Sequence, residues 1–390
     1  MTTRPGGIRD FVLRVGDDAL EDVADRIRRF RRPTGCHGDS WAHGTSTDYL
    51  DELVEHWRTT YDWRAAEERI NQLPQFVLDS SAGPLHFVHL RSGRPDAIPL
   101  ILSHGWPWTF LDYSRLLETL SAAGPDEQAF DLVVPSLPGF CLSAAAAGPN
   151  WWETADLWVE LMDALGYDRF GAVGGDWGAW VTAQLGHRHP HRLLGIHLFD
   201  AARLEVWGTA RPWDLFEPAR AALDPEELAT FLEFERKAAS HVTVHVLDPL
   251  TLSHALTDSP AGLCSWLVER RHAWTDCGGD LETVYTKDDL ITTTMLYWLT
   301  DSVASSLCFY PAATERPWRP EPGTGTRVIT APTALSTFAH HARRPGPWVE
   351  EYYDLRWRAA HERGGHFSPW ERPAQVAADL RASFAIFTGR

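Results

Sequence analysis

Two patterns of apolar residues divide the chain. From residue 8 to about 78, apolar positions recur at helical spacing in "DDALEDVADRIRRF" and "TDYLDELVEHWRTTYDWRAAEERINQL". A Pro/Gly/His/Ser-rich stretch from Arg32 to Gly44, an expected exposed loop, joins them. Short apolar runs follow at "PLHFVHL" (84–90), "IPLILSH" (98–104), "DLVVPS" (131–136), "RFGAV" (169–173) and "LLGIHLF" (193–199). Helical segments separate most of these runs, and that alternation predicts a mostly parallel α/β sheet. From about 201 to 310 helical segments dominate, among them "DPEELATFLEFERKAA" and "LITTTMLYWLTDSVASSL", as an inserted lid would read. Strand runs resume at "RVITAPTAL" (327–335) and "DLRWRAA" (354–360), and the helix "AQVAADLRASFAIF" closes the pattern. The expected division is a helical N-terminal arm over 1–80, one α/β core in two parts (81–200 and 321–390), and a helical lid over 201–320.

Composition narrows the possible partners. At 390 residues and 44% hydrophobic, the chain can bury a large core. Its formal charge of −17 and pI near 5.5 argue against nucleic acid and anionic membrane, since "RIRRFRR" (26–32) reads as the solvated end of an amphipathic helix. The opening residues lack the apolar core of a signal peptide, and no run has the length of a membrane span, so a cytoplasmic location is expected. Five cysteines without a C-x-x-C pair suggest neither a disulfide framework nor a metal site.

The chemistry concentrates in "AVGGDWGAW" (172–180). The apolar run 169–173 reads as a buried strand and Ala179 to His187 as a helix ended by His189-Pro190, so Asp176 falls on a strand-turn-helix corner. Gly174 and Gly178, two positions either side, allow close backbone approach and a strained residue between them. The nucleophile elbow of α/β-hydrolases has this layout with serine at the centre. A carboxylate there is already ionised at neutral pH and can attack a saturated carbon, leaving an ester for water to cleave. The alternative on these residues alone is a helix N-cap.

Two further motifs end strand runs. "SHGWP" (103–107) can turn backbone N–H groups toward the carboxyl edge of the sheet as oxyanion donors, or be an ordinary tight loop. "RGGHFSPWERP" (363–373) sets His366 on a glycine turn after the last strand, as a base or as a solvated loop histidine. A nucleophile followed much later by a histidine, each at a strand end, is the order α/β-hydrolases use.

Together, "LSHGWPWTF", "VVPSLPGF", "LGYDRFGAVGGDWGAWVT", "ALTDSPAGL", "LYWLTDSVASSL" and "RGGHF" resemble the microsomal-type epoxide hydrolases, as does the helical N-terminal arm. The resemblance runs from about residue 8 to the end. It implies an α/β-hydrolase fold, no cofactor and no metal. Asp176 would be the nucleophile, His366 the base, and the backbone N–H groups of Trp106 and Trp177 the oxyanion hole, with Trp106-Pro107 cis. Tyr310 would be a lid tyrosine that protonates the opening epoxide; a phenol is still protonated at pH 7. Several tryptophans near the motifs, including Trp108 and Trp298, suggest an aromatic-lined pocket.

Two family residues are missing. A second lid tyrosine is replaced by His241 or Val242, and the acid expected after the seventh strand by a stretch in which His341 lies nearest. An imidazole that gains a proton needs an anion or acceptor on its other nitrogen. Asp200, just past "LLGIHLF", is the expected substitute, with Glu205 second and His341 third; capping the first lid segment is the alternative for Asp200. The leading expectation is epoxide opening on a bulky or specialised substrate, with a homodimer allowed. Alternatives are opening by a nucleophile within the substrate, haloalkane dehalogenation, which the proton donor Tyr310 argues against, and a non-catalytic binding protein.

Overall fold

The computed structural model describes residues 7–34, 40–145, 150–209, 225, 228–229, 240–321, 327–340 and 346–389. The chain divides into two compact units, one of residues 1–12, 70–204 and 318–390 and the other of 13–69 and 205–317. This differs from the four-part division expected above: the arm and the lid fall in one unit, and both ends of the arm leave it for the sheet.

Among the described residues the first unit is built on nine strands, β1 (Ile8–Phe11), β2 (Gln75–Ser80), β3 (Gly83–Leu90), β4 (Ile98–Ser103), β5 (Phe130–Pro135), β6 (Phe170–Gly174), β7 (Leu193–Leu198), β8 (Ile329–Phe338) and β9 (Tyr353–His361). Their order is β1-β2-β3-β5-β4-β6-β7-β8-β9. Pairing is antiparallel from β1 to β5 and parallel from β5 to β9. β4 and β6 are almost wholly buried, which is why they read as continuous apolar runs. β9, at the edge, alternates between half-buried and exposed positions. β1 and β2 lie inside the stretch expected to be a helical arm. β1 is a short edge strand with one fully buried residue, too brief to register as a period.

Helices cover the sheet. Trp151–Ala164 starts with a capping box in which the Asn150 side chain accepts from Glu153 N–H and Glu153 accepts from Asn150 N–H. Pro373–Thr388 closes the chain, ending on Gly389 at φ 69°. Cys141, Cys264, Cys277 and Cys308 are free thiols.

The described residues of the second unit are mainly helical: Asp17–Arg28, Thr47–Thr59 and Trp63–Asn71 from the arm, and Ser240–Leu247, Pro249–Asp258, Pro260–Trp274, Lys287–Leu299 and Val303–Glu315 from the lid. Contacts between the two stretches make them one body. Trp41 stacks on His272 at 3.8 Å, Tyr61 shares a hydrogen bond with Thr292, and Arg26 reaches Asp258 at 2.9 Å. Among the described residues no helix is long and apolar enough to cross a membrane, and no group of three or more His, Cys, Asp or Glu is placed to hold a metal ion.

Candidate active site

The corner after β6 forms because its glycines leave no room for anything larger. A Cβ on Gly174 would stand 2.1 Å from Gly178 O, and one on Gly178 would stand 1.9 Å from Ser103 O. The elbow helix Trp177–Arg188 therefore packs directly on the end of β4, where Ser103 pairs with Gly174. Asp176 takes φ 51° and ψ −135°, a conformation that costs of order 1–3 kcal/mol for a residue with a side chain. Ala179 N–H to Asp176 O at 2.8 Å and Phe199 N–H to Gly174 O at 3.0 Å hold the corner in place.

Asp176 uses its two oxygens differently. Oδ1 accepts from Trp106 N–H at 2.8 Å and Trp177 N–H at 2.7 Å. Oδ2 lies 3.3 Å from His366 Nε2. Gly105 must be glycine here, because a Cβ would meet Asp176 Oδ1 at 2.1 Å. The Trp106-Pro107 bond is cis, as the resemblance implied.

The Trp106 N–H is aimed from behind. Its peptide unit shares the Gly105 carbonyl, which accepts from His104 Nδ1 at 2.9 Å. His104 Nε2 accepts from Leu137 N–H at 3.0 Å, so the proton must sit on Nδ1. Burial pushes His104 down to about 4, against the opposing pull of Gly105 O and the Asp112 and Asp176 charges, so the ring stays neutral. Ser103 is fixed in turn by Tyr113 Oη donating to its carbonyl and Trp158 Nε1 to its hydroxyl. His104 was present in the motif "SHGWP" and went unassigned; the local signal was there, but its partner Leu137 is 33 residues away.

His366 follows Gly364, which has φ 108°, and the side chain is 4% exposed. Trp108, fully buried, meets the imidazole edge to face at 5.3 Å. Asp200 points into the elbow, its Oδ2 accepting from Asp176 N–H at 2.7 Å. Asp176, His366, Trp106, Trp177, Trp108 and Asp200 thus come together within the first unit.

In the second unit Tyr310 is buried, and its ring meets His245 at 4.7 Å, His241 at 5.8 Å and Trp207 at 6.1 Å, all nearly perpendicular. Trp274 covers His241 at 4.9 Å. Trp266 Nε1 donates to His245 Nε2 at 3.1 Å, and burial holds the His245 imidazole well below its ordinary range. Arg270, also buried, is pushed down to about 10 by desolvation, with Tyr310 as its Coulombic neighbour. Trp298 does not join this group: it is half-buried, donates to Thr257 O and lies under the Arg26 guanidinium of the arm. Glu205 begins the turn Val206–Gly208 of the second unit. His341 lies outside the described residues.

Two family profiles match: one described as "Epoxide hydrolase N terminus" over residues 8–113, and one described as "alpha/beta hydrolase fold" over residues 98–247. A Stigmatella aurantiaca protein carrying an epoxide hydrolase name is 35% identical, the match covering 97% of this chain and 85% of that one. Epoxide hydrolase 1 of Sus scrofa is 29% identical over 96% of this chain and 88% of its own. Among solved structures, the juvenile hormone epoxide hydrolase of the silkworm Bombyx mori superposes with TM-score 0.81 at 26% identity, covering 98% of this chain and 94% of that one. The Aspergillus niger epoxide hydrolase gives 0.80 at 26% identity, over 98% and 97%. With the elbow, the parallel sheet and these relatives in agreement, the chain belongs to the epoxide hydrolase family and has the α/β-hydrolase fold.

Proposed function

We propose that this protein opens an epoxide through a covalent ester on Asp176 and releases the diol with water activated by His366. The observation that carries the reading is the division of labour at Asp176. One oxygen is held by two backbone N–H groups and the other faces an imidazole. Oδ2 attacks a ring carbon, the carbon–oxygen bond breaks, and the alkoxide takes a proton from Tyr310, a role assigned by the sequence resemblance. His366 then takes a proton from water, whose oxygen attacks Cγ. The charge that develops on Oδ1 is met by N–H donors already in place, so little reorganisation is needed. Collapse expels the diol's second oxygen as an alkoxide, which takes the proton from His366, and the carboxyl proton left on Asp176 passes through solvent to the Tyr310 phenolate, so both groups return to their starting states. Asp200, anchored to the elbow by the Asp176 N–H, is proposed as the acid that steadies the imidazolium. The altered lid, with His241 beside Tyr310, fits a bulky or specialised epoxide.

A single turnover in heavy-oxygen water tests the route. The label should enter Asp176 and be missing from the first diol, because the diol's second oxygen comes from Oδ2. In His366→Gln the ester should form and persist, adding the substrate mass to the protein. Label in the first diol, or a cyclised product without solvent oxygen, overturns the ester route.

A further inference from the structure

A second polar cluster in the first unit lies below the sheet's carboxyl edge. Asp379, on the closing helix and 4% exposed, receives three donors. His361 Nε2 lies 2.7 Å from Oδ2, Ser336 Oγ donates to Oδ2 at 2.6 Å, and Gln375 Nε2 donates to Oδ1 at 3.2 Å. Among the described residues His361 is the basic side chain that approaches this carboxylate. His197 lies behind, with Nε2 2.9 Å from Ser336 Oγ and Nδ1 2.9 Å from Ser383 Oγ. Burial pushes His197 down to about 4, so it is neutral. Since Ser336 gives its proton to Asp379, it accepts from His197 Nε2–H, and the chain has one direction, with Asp379 as its end.

Nothing in the reaction uses these groups, yet their positions are specific. His361 is the last residue of β9, five residues before His366, and His197 is three residues before Asp200. The His361 ring packs on Phe338 at 5.0 Å. Its carbonyl accepts from Ala339 N–H at 3.0 Å, and Gly364 O accepts from His340 N–H at 3.1 Å. A Cβ on Gly364 would stand 2.7 Å from Phe338, so the loop lies hard against the end of β8. The His361–Asp379 pair adds a tie to the closing helix, a direction the backbone bonds do not cover.

We infer that Asp379 and His361 are positioning residues for His366, fixing the loop so that Nε2 stays over Asp176. The inference rests on the reading of His366 as the base for ester hydrolysis. It implies that the two chemical steps separate: attack by Asp176 does not need the loop, whereas activation of water does. Displacement of a catalytic group by about 1 Å can cost on the order of 100-fold.

The test measures ester formation and ester decay by rapid quench and mass spectrometry in Asp379→Asn, His361→Phe and His361→Gln, with thermal midpoints alongside. Ester decay should slow at least about 10-fold in Asp379→Asn and His361→Phe while formation stays within about 2-fold. His361→Gln, whose amide can still donate to Asp379, should recover most of the decay rate. His361 is half-buried, so its variants remain informative where Asp379→Asn does not fold. Unchanged decay, equal slowing of both steps, or Gln as slow as Phe overturns the inference. Failure of His366→Gln to accumulate ester overturns the underlying reading instead.

Discussion

His104 touches no reacting atom, but its replacement separates stability from catalysis in a way that tests the oxyanion hole. In His104→Phe the ring volume is kept and both polar bonds are lost. Gly105 O and Leu137 N–H are then left without their partner at a site that is 0% exposed. Each stranded group costs about 1–3 kcal/mol, so unfolding should become easier by roughly 2–6 kcal/mol. His104→Asn can still donate to Gly105 O but cannot reach Leu137, and should cost about half as much. The kinetic consequence follows from the shared peptide unit. Once the Gly105 carbonyl is released, the Trp106 N–H is no longer held toward Asp176 Oδ1. Losing one oxyanion donor slows acyl transfer by about 10²–10³, or roughly 2.7–4 kcal/mol. Denaturant titration reads the first effect, and single-turnover ester decay reads the second. Phe should be slow and Asn close to wild type in ester decay, although both are destabilised. If His104→Phe decays its ester at the wild-type rate, or Asn is as slow as Phe, His104 does not aim the donor.

Two other substitutions probe the remaining roles. Tyr310→Phe keeps the ring contacts with His245 and His241 and removes only the acidic proton, so ester formation should slow by about 10²-fold or more, with decay nearly unchanged; equal slowing of both steps would mean that Tyr310 acts through packing. Asp200→Asn retains an oxygen to accept the Asp176 N–H, so the elbow should stay folded while ester decay slows strongly. Wild-type decay in that variant would place the relay anion elsewhere.

What the sequence revealed depended on how local each determinant was. β3 through β8 stood out because largely buried strands leave apolar runs, and the observed limits lie within a few residues of those runs; β9, half-exposed at the edge, was read only from the short stretch 354–360. β2 was hidden because "QFVLDS" directly follows a helical pattern, and its partners in β1 are more than sixty residues earlier. The helical run 290–307 hid a break at Asp301, whose φ of 53° ends one helix before the next begins. At the site, Asp176 was legible because the glycines that make its corner flank it in sequence. His104 and the Asp379–His361 tie were not, since each gains its meaning from a residue brought up by a different strand or helix. Trp298, an aromatic beside a motif, has its described contacts with Arg26 of the arm and Thr257 O, partners that the motif itself does not reveal.

The route of the chain between its two units constrains how this protein can be cut and recombined. Residues 13–69 leave the sheet after β1 and return before β2, and 205–317 leave after β7 and return before β8, so neither excursion is terminal. A truncation that removes the arm also strips an edge strand, and a graft of 205–317 alone brings half a helical body without its other half. Lid exchange among relatives should therefore succeed only when both excursions travel together, with the four crossing points as the seams.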